Sequence, residues 1–324
     1  MLFDFKVKIW YNMLLQRGDS MKERIFVVSD LHGMKNIYDV ITNYLDEVAL
    51  CNPEDNIKLI INGDIIDRGP SSIEIIQDII ERQDNQKGYF SIDVLAGNHE
   101  LMMYEALQMG YDSYWSHKNL SWYLRQNGGG ITAEAYGKLD QFEKRKIVSF
   151  LDNLEIQKSY QKEMLDTKGV IVAHARASGM MKFLSDQFHM KTKLGDIKDD
   201  ILSYYRSYGG MSNKYCEIIH TVWDRENFGN NMGMNNYTTI IGHTQVLTSL
   251  GYEYNKYHKV LNIDGGCADL AVDYVNDITV PLVELDFDNK ELIINRFDAE
   301  GKQLPTHTIT KDGIVQAKRK RLKI

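Results

Sequence analysis

Three cysteines, Cys51, Cys216 and Cys267, are too few and too widely separated for an even disulfide framework or for a zinc C-x-x-C pair. They read as buried thiols of a protein in a reducing compartment. Four prolines in 324 residues mark no Pro-rich linker, and no internal repeat or low-complexity tract is found. No apolar run approaches the roughly 18 residues of a membrane span. Residues 1 to 20 lack the apolar stretch and small-residue cleavage site of a secretion signal. Together these absences point to the cytoplasm and to no membrane partner. An excess of basic charge is missing too: 38 Lys and Arg stand against 45 Asp and Glu, a net charge of -7. No field over the whole surface would therefore attract nucleic acid, and any affinity for phosphate has to be local.

What the chain does have is enough apolar material for a sizeable core, 43% of 324 residues, in one large α/β domain or two small ones. Apolar, mostly β-branched residues from Ile25 to Val28 are followed by a helical period at Ile37, Val40, Ile41, Tyr44, Leu45 and Val48. The same strand, loop and helix recur from Ile57 to Ile61 into Ile75, Ile76, Ile79 and Ile80, with Pro70 and Ser71 or Ser72 as the start signal. A third unit runs from Ile92 to Leu95 into Leu101, Met102 and Leu107, with Gly110 as a stop. Three β-loop-α units predict a mostly parallel sheet with its loops of interest at the carboxyl ends of the strands.

From about 111 to 155 the texture becomes aromatic and charged at helical spacing, broken by Gly128-Gly129-Gly130, which reads as a helical cap inserted over the site with a flexible hinge. Strand-like runs then resume at Gly169 to Ala173, Thr238 to Ile241, Lys259 to Ile263, Val280 to Leu285 and Leu292 to Asn295, consistent with a second sheet packed on the first. Asn289 falls in the hairpin turn of the last two. The expected organisation is a leader over 1–20, ahead of Met21, that is either an accessory helix or an upstream start, then one domain over 21–300 and a tail over 301–324. The five basic residues among Lys318 to Lys323 read as a solvated end. His117, His189, His220, His258 and His307 have no motif around them and read as core or surface histidines. The pairs Met102–Met103 and Met180–Met181 read as core filler.

Four short motifs carry chemistry: Ser29-Asp30-Leu31-His32-Gly33, Gly63-Asp64-Ile65-Ile66-Asp67-Arg68-Gly69, Gly97-Asn98-His99-Glu100 and Gly242-His243-Thr244. Each sets carboxylate, imidazole or amide groups directly after an apolar run, where a buried strand opens into a loop. His174 likewise ends the run Val170 to Ala173. This mixed donor set suits divalent manganese, iron or zinc. Asp30, His32 and Asp64 can supply one site, and Asp64, Asn98, His174 and His243 a second. Two dications about 3.5 to 4 Å apart require a bridging carboxylate between them, the part given to Asp64.

In order and spacing these motifs resemble the phosphoprotein phosphatase branch of the calcineurin-like metallophosphoesterases over roughly Arg24 to Gly266. The resemblance implies an α/β fold, a four-layer αββα sandwich of two mixed sheets with a helical cap insertion, and two bound divalent metals, manganese first, with iron or zinc as alternatives. It implies Asp30, His32, Asp64, Asn98, His174 and His243 as ligands, Asn98 also touching substrate, Arg68 as a phosphate clamp, and His99, oriented by Asp67, as general acid. Attack on phosphorus by a metal-bridging hydroxide, with no phosphoenzyme, is the implied reaction. Trp122 with Asn127-Gly128-Gly129, and Trp223-Asp224-Arg225, are similar to segments of the compact bacterial and phage-lambda-type phosphatases and of the symmetrical dinucleoside tetraphosphate hydrolases. The second of these segments implies Arg225 as a further phosphate-binding arginine. Asn262-Ile263-Asp264-Gly265-Gly266 resembles a strand end whose role is structural. Two positions depart from the pattern. Ser29 stands where many members have glycine, and Ala175-Arg176 stands where two glycines are usual, so that Arg176 is expected to point into the cleft. The implied substrate is a phosphorylated protein or peptide, or a small phosphoester. A dinucleoside tetraphosphate is the rival substrate, and a noncatalytic scaffold the rival class. The oligomeric state is open.

Overall fold

A computed structural model describes residues 22–85, 88–110, 122, 127–188, 191–207, 210–225, 233–246, 248–270 and 278–316. The expected leader, the basic run at 318–323, His117 and His189 lie outside the described residues. Two mixed sheets lie face to face. The first has seven strands in the order β12-β11-β10-β9-β1-β2-β3, where β1 is Glu23–Val28, β2 Asn56–Asn62, β3 Ser91–Leu95, β9 Thr279–Asp286, β10 Glu291–Asp298, β11 Gln303–Thr310 and β12 Gly313–Gln316. The second has five, β4-β5-β6-β8-β7, where β4 is Gln157–Tyr160, β5 Val170–Ala173, β6 Thr238–Ile241, β7 Glu253–Asn255 and β8 Val260–Asn262.

Strands buried on both faces need apolar side chains at every position, which is why the sequence shows continuous runs rather than alternation. In β1, Ile25 and Val27 enter the core between the sheets, where they join Val170, Val172, Ile240 and Leu261 of the second sheet. Phe26 and Val28 point the other way, into the layer of helices α1 (Lys35–Cys51), α2 (Ser72–Asn85) and α3 (Asn98–Gln108). Gly110, with φ of 88°, takes the left-handed backbone just beyond α3, as the stop signal required.

The first sheet departs from the predicted parallel pattern. Among its described strands only β1–β2 and β2–β3 pair in parallel, and β9 joins β1 antiparallel, so the runs beginning near Val280 and Leu292 extend the first sheet instead of building the second. Apolar content alone does not say which sheet a strand enters. Strands β11 and β12 carry that sheet into the stretch expected to be a tail. Helices α4 (Gly129–Gly137) and α5 (Gln141–Asp152), the described part of the expected cap, stand beside α2 and α3 in the outer helical layer. Among the described residues the remaining helices are α6 (Gly179–Phe188), α7 (Lys198–Ser207), α8 (Asn213–Trp223) and the short α9 (Cys267–Leu270). Cys267 is buried, but Cys51 and Cys216 are exposed, contrary to their reading as buried thiols, because both fall on the solvent side of their helices. Met180 is exposed as well, whereas Met102, Met103 and Met181 are core residues. Among the described residues no helix is long and apolar enough to cross a membrane.

Candidate metal centre

Parallel strands release their chains at one edge, and the predicted site residues gather there. Asp30 and His32 follow β1, Asp64, Asp67 and Arg68 follow β2, and Asn98 and His99 open α3 after β3. His174 follows β5 and His243 follows β6. Six of these non-glycine residues, Asp30, His32, Asp64, Asp67, Arg68 and His243, have φ between 44° and 73°. Such left-handed backbone costs energy in side-chain-bearing residues and collects where function holds it in place. The loops are also packed against one another. A methyl group added to Gly97 would stand 2.2 Å from Asp64 Oδ1.

Asp64 is the hub. Its Oδ1 lies 3.3 Å from His174 Nε2, and its Oδ2 lies 3.7 Å from His32 Nε2 and 3.9 Å from His99 Nε2. Two ligand groups suited to a cation result, one of His32, Asp64 and His99 and one of Asp64, His174 and His243, each with donor atoms within 4.8 Å of one another. Asn98 Oδ1 is 3.1 Å from His174 Nε2. Asp30 stands outside both groups and accepts the backbone N–H of His243 with each oxygen, at 3.1 Å. His99, expected as an acid and not as a ligand, is within one of the two groups.

Charge and tautomer favour a cation. Carbonyls can only accept, so His174 Nδ1, 2.8 Å from Asn62 O, and His32 Nδ1, 3.1 Å from Ile66 O, carry the protons there. Both Nε2 atoms then face Asp64, the arrangement by which an outer hydrogen bond aims an imidazole at a metal. Burial would raise the Asp64 carboxyl, but the neighbouring imidazoles of His174, His99 and His32 outweigh it and hold the group well below the usual carboxylate range. Burial lowers His174, yet Asp64 and Asp30 overcome that and push it up to about 10. Burial, followed by the charges of Asp264 and Asp64, drives Asp30 well above its ordinary value. Burial and His99 hold His32 well below its own. His243 is buried, and among the described residues neither of its ring nitrogens has a hydrogen-bond partner. An unpaired buried imidazole is costly, and a divalent cation of borderline softness satisfies it. The residues present therefore fit the metals that the resemblance implies.

Around this hub, His99 Nδ1 meets Asp67 Oδ2 at 2.7 Å, and the fully buried Trp122 donates its indole N–H to both Asp67 oxygens at 3.1 and 3.0 Å. Arg68 Nη1 donates to His32 Nε2 at 3.0 Å, and its backbone N–H to the Gly128 carbonyl at 3.2 Å. The Gly128 triplet thus opens α4 against the Arg68 loop. Arg225 Nη1 donates to the His243 carbonyl at 3.4 Å and holds the rim of the site. Arg176, expected in the cleft, instead pairs with Asp224 at 3.0 Å.

Two motif residues do more than the sequence reading gave them: Glu100, which had no role, and Asp264, which stood in a segment read as structural. Glu100 is fully buried and accepts the backbone N–H groups of Asp64, Ile65, Ile66 and Gly97 at 2.8, 2.9, 3.3 and 2.8 Å. It ties the loop after β2 to the start of α3. The signal was available, since a glutamate three residues past a helix cap is the capping-box pattern. Asp264 is buried and pushed up to about 6, by burial and then, against the hydrogen bond from Gly266, by Asp64. It adds a third carboxyl beside Asp30 and Asp64.

Residues 23–191, more than half of the chain, match the family described as Calcineurin-like phosphoesterase. Over 103 residues the chain is 32% identical to serine/threonine-protein phosphatase 2 of Escherichia coli (strain K12), covering 32% of this chain and 41% of that relative. The likeness thus spans less than half of the relative's length. A solved cold-active protein tyrosine phosphatase superposes with a TM-score of 0.51 at 14% identity, covering 90% of this chain and 81% of that one. A point mutant of such a phosphatase gives 0.50 at 14%, over 88% and 82%. At that identity the likeness is one of fold.

Proposed function

The chain belongs to the calcineurin-like phosphoesterase family, and on that premise we propose that it is a dinuclear-metal phosphomonoesterase of the serine/threonine protein phosphatase type, acting in the cytoplasm. The observation that carries this reading is the convergence of His32, His99 and His174 on the Asp64 carboxylate, with the unpaired imidazole of His243 alongside. Asp30, His32 and Asp64 would hold one cation, and Asp64, Asn98, His174 and His243 the other, with manganese the first choice and iron or zinc next. Bound there, two dications supply acidified water and neutralise phosphoryl charge.

The chain's own groups do the rest. Arg68 and Arg225 bind the non-bridging oxygens of the phosphoryl group, and Asn98 orients it, their N–H groups being matched to phosphate oxygens. His99 points Nδ1 at Asp67, which fixes the ring and leaves Nε2 to give a proton to the leaving oxygen. Trp122 in turn holds Asp67, so the acid is oriented from two sides. The name of the E. coli relative supports phosphoserine and phosphothreonine side chains as substrates.

The test is release of inorganic phosphate by the manganese-loaded protein from phosphopeptides, aryl phosphates and dinucleoside tetraphosphates. Turnover of phosphoserine and phosphothreonine peptides is expected. Efficient cleavage of the tetraphosphate into two nucleoside diphosphates, with phosphopeptides untouched, would overturn the protein-phosphatase assignment.

A further inference from the structure

Two residues beyond His174 the chain turns over the outer face of the second sheet, and the backbone N–H groups of Ala175 and Arg176 both donate to the Thr221 carbonyl, at 2.9 and 3.1 Å. Arg176 begins a groove of about 450 Å³, a size within the range of ligand clefts, roughly 300–1,000 Å³. Its floor rests on the small apolar cluster of Ile171, Ala173 and Ala177 with Met234 and Tyr237. The polar lining is formed by Arg176, His258, Lys259, Asn235 and Asn236, and among the described residues it contains no acidic residue. In a chain of net charge -7 this is a local reversal of sign.

The nearby carboxylates are accounted for at the margins. Asp224 pairs with Arg176 at the end nearest the metal centre, and Asp186 pairs with Lys182 beneath, whose Nζ lies 4.6 Å from the Tyr237 ring centroid. Lys259 makes no ion pair among the described residues. Such a lining offers donors and positive charge, and it suits an anionic ligand.

The spacing of the cations narrows the ligand. Lys259 precedes β8, whose Val260 is level with Thr239 of β6, while Thr238 is level with Val170 of β5. Arg176 follows Ala173 at the opposite end of these parallel strands, and Ala173 itself is about 10 Å along the strand from the level of Lys259 at roughly 3.3 Å per residue. A compact polyphosphate needs convergent donors. Cations carried on backbone positions at opposite ends of a groove, in a lining that also holds carboxamides and a tyrosine ring, suit carboxylates spaced along an extended chain.

We propose that this groove binds acidic peptide segments flanking the phosphorylated residue, as a substrate subsite continuous with the metal centre through Arg176. The inference rests on the phosphoprotein reading of that centre and names the class of phosphoprotein it prefers. Charge contacts at an open groove are screened, so a preference of about three- to tenfold is expected from two or three of them.

The experiment measures binding of fluorescein-labelled nonapeptides without phosphate, one rich in Glu and one with Gln in its place, to the manganese-loaded protein by anisotropy. Tripolyphosphate serves as a competitor. The Glu peptide should bind about three- to tenfold tighter than the Gln peptide, and Lys259→Gln and Arg176→Gln should each remove part of the difference and together most of it. Equal affinity for the two peptides, or a difference untouched by both substitutions, would overturn the proposal. Tripolyphosphate binding tighter than the Glu peptide, with both substitutions weakening it, would overturn the peptide assignment in favour of a polyphosphate. Hydrolysis measured on the same samples separates the two readings. Charge-selective peptide binding without turnover of any phosphoester supports the groove and sinks the catalytic assignment. Turnover of phosphopeptides without charge-selective binding does the reverse.

Discussion

His99 Nδ1 and Asp67 Oδ2 stand 2.7 Å apart, both buried, with both Asp67 oxygens held by the Trp122 indole N–H. An imidazole fixed this way keeps one proton on Nδ1 against the carboxylate, and its doubly protonated form presents a second, on Nε2, to the leaving oxygen of a substrate. We expect His99→Gln to lower kcat by roughly 10²- to 10⁴-fold on alkyl phosphates and far less on p-nitrophenyl phosphate, whose leaving group needs no proton. Equal losses on both substrates would remove the general-acid role. Trp122→Phe should give the same pattern, more weakly.

Gly97 is set so close to Asp64 that a side chain cannot enter without moving the carboxylate. Gly97→Ala should leave secondary structure intact by circular dichroism while weakening manganese binding by about tenfold or more, in keeping with the cost of disturbing a ligand's support. Unchanged affinity in calorimetric titration would mean that the loops adjust freely.

Glu100 accepts four backbone N–H groups. Glu100→Gln turns an amide donor toward some of those donors, and with charge-assisted bonds lost in a buried place it should cost about 2–4 kcal/mol of stability. Urea unfolding of the metal-free protein measures this. A cost under about 1 kcal/mol would show that the loop is held by other contacts.

His307, also buried, has Nε2 3.1 Å from Arg296 Nη1 and Nδ1 2.6 Å from the Tyr252 hydroxyl. Burial, then the arginine, hold the imidazole below its ordinary value. The folded state thus resists a proton that the unfolded chain accepts. The contribution of His307 to stability is complete above a pH of about 6.5 and is lost as the pH falls below it. Urea midpoints at several pH values between about 5 and 8 should drop toward acid more steeply for the natural protein than for His307→Gln. Parallel curves would contradict this.

The parts of the fold and site visible in the sequence are those encoded locally. Continuous apolar runs ending in Asp30, Asp64, Asn98, His174 and His243 marked buried strands opening into loops, because burial on both faces dictates composition directly. Strand partnership was hidden: nothing in the run from Val280 to Leu285 says that it pairs with β1, since pairing is settled by chain path and not by composition. Arg176 was expected in the cleft from its place in a motif, but its partner, Asp224, lies 48 residues away in sequence. Contacts between distant side chains are invisible to periodicity. Glu100 was legible as a cap, whereas its bonds to Asp64, Ile65 and Ile66 depend on two loops meeting in space.

The metal content of Asp64→Asn tests the centre most directly. Manganese is counted per chain by mass spectrometry after gel filtration, in the natural protein and in the variant. Two equivalents falling to one or fewer, with activity lost in step, is the expected result for a carboxylate shared between two cations. Two equivalents retained by the variant would contradict the assignment of Asp64 as the bridge.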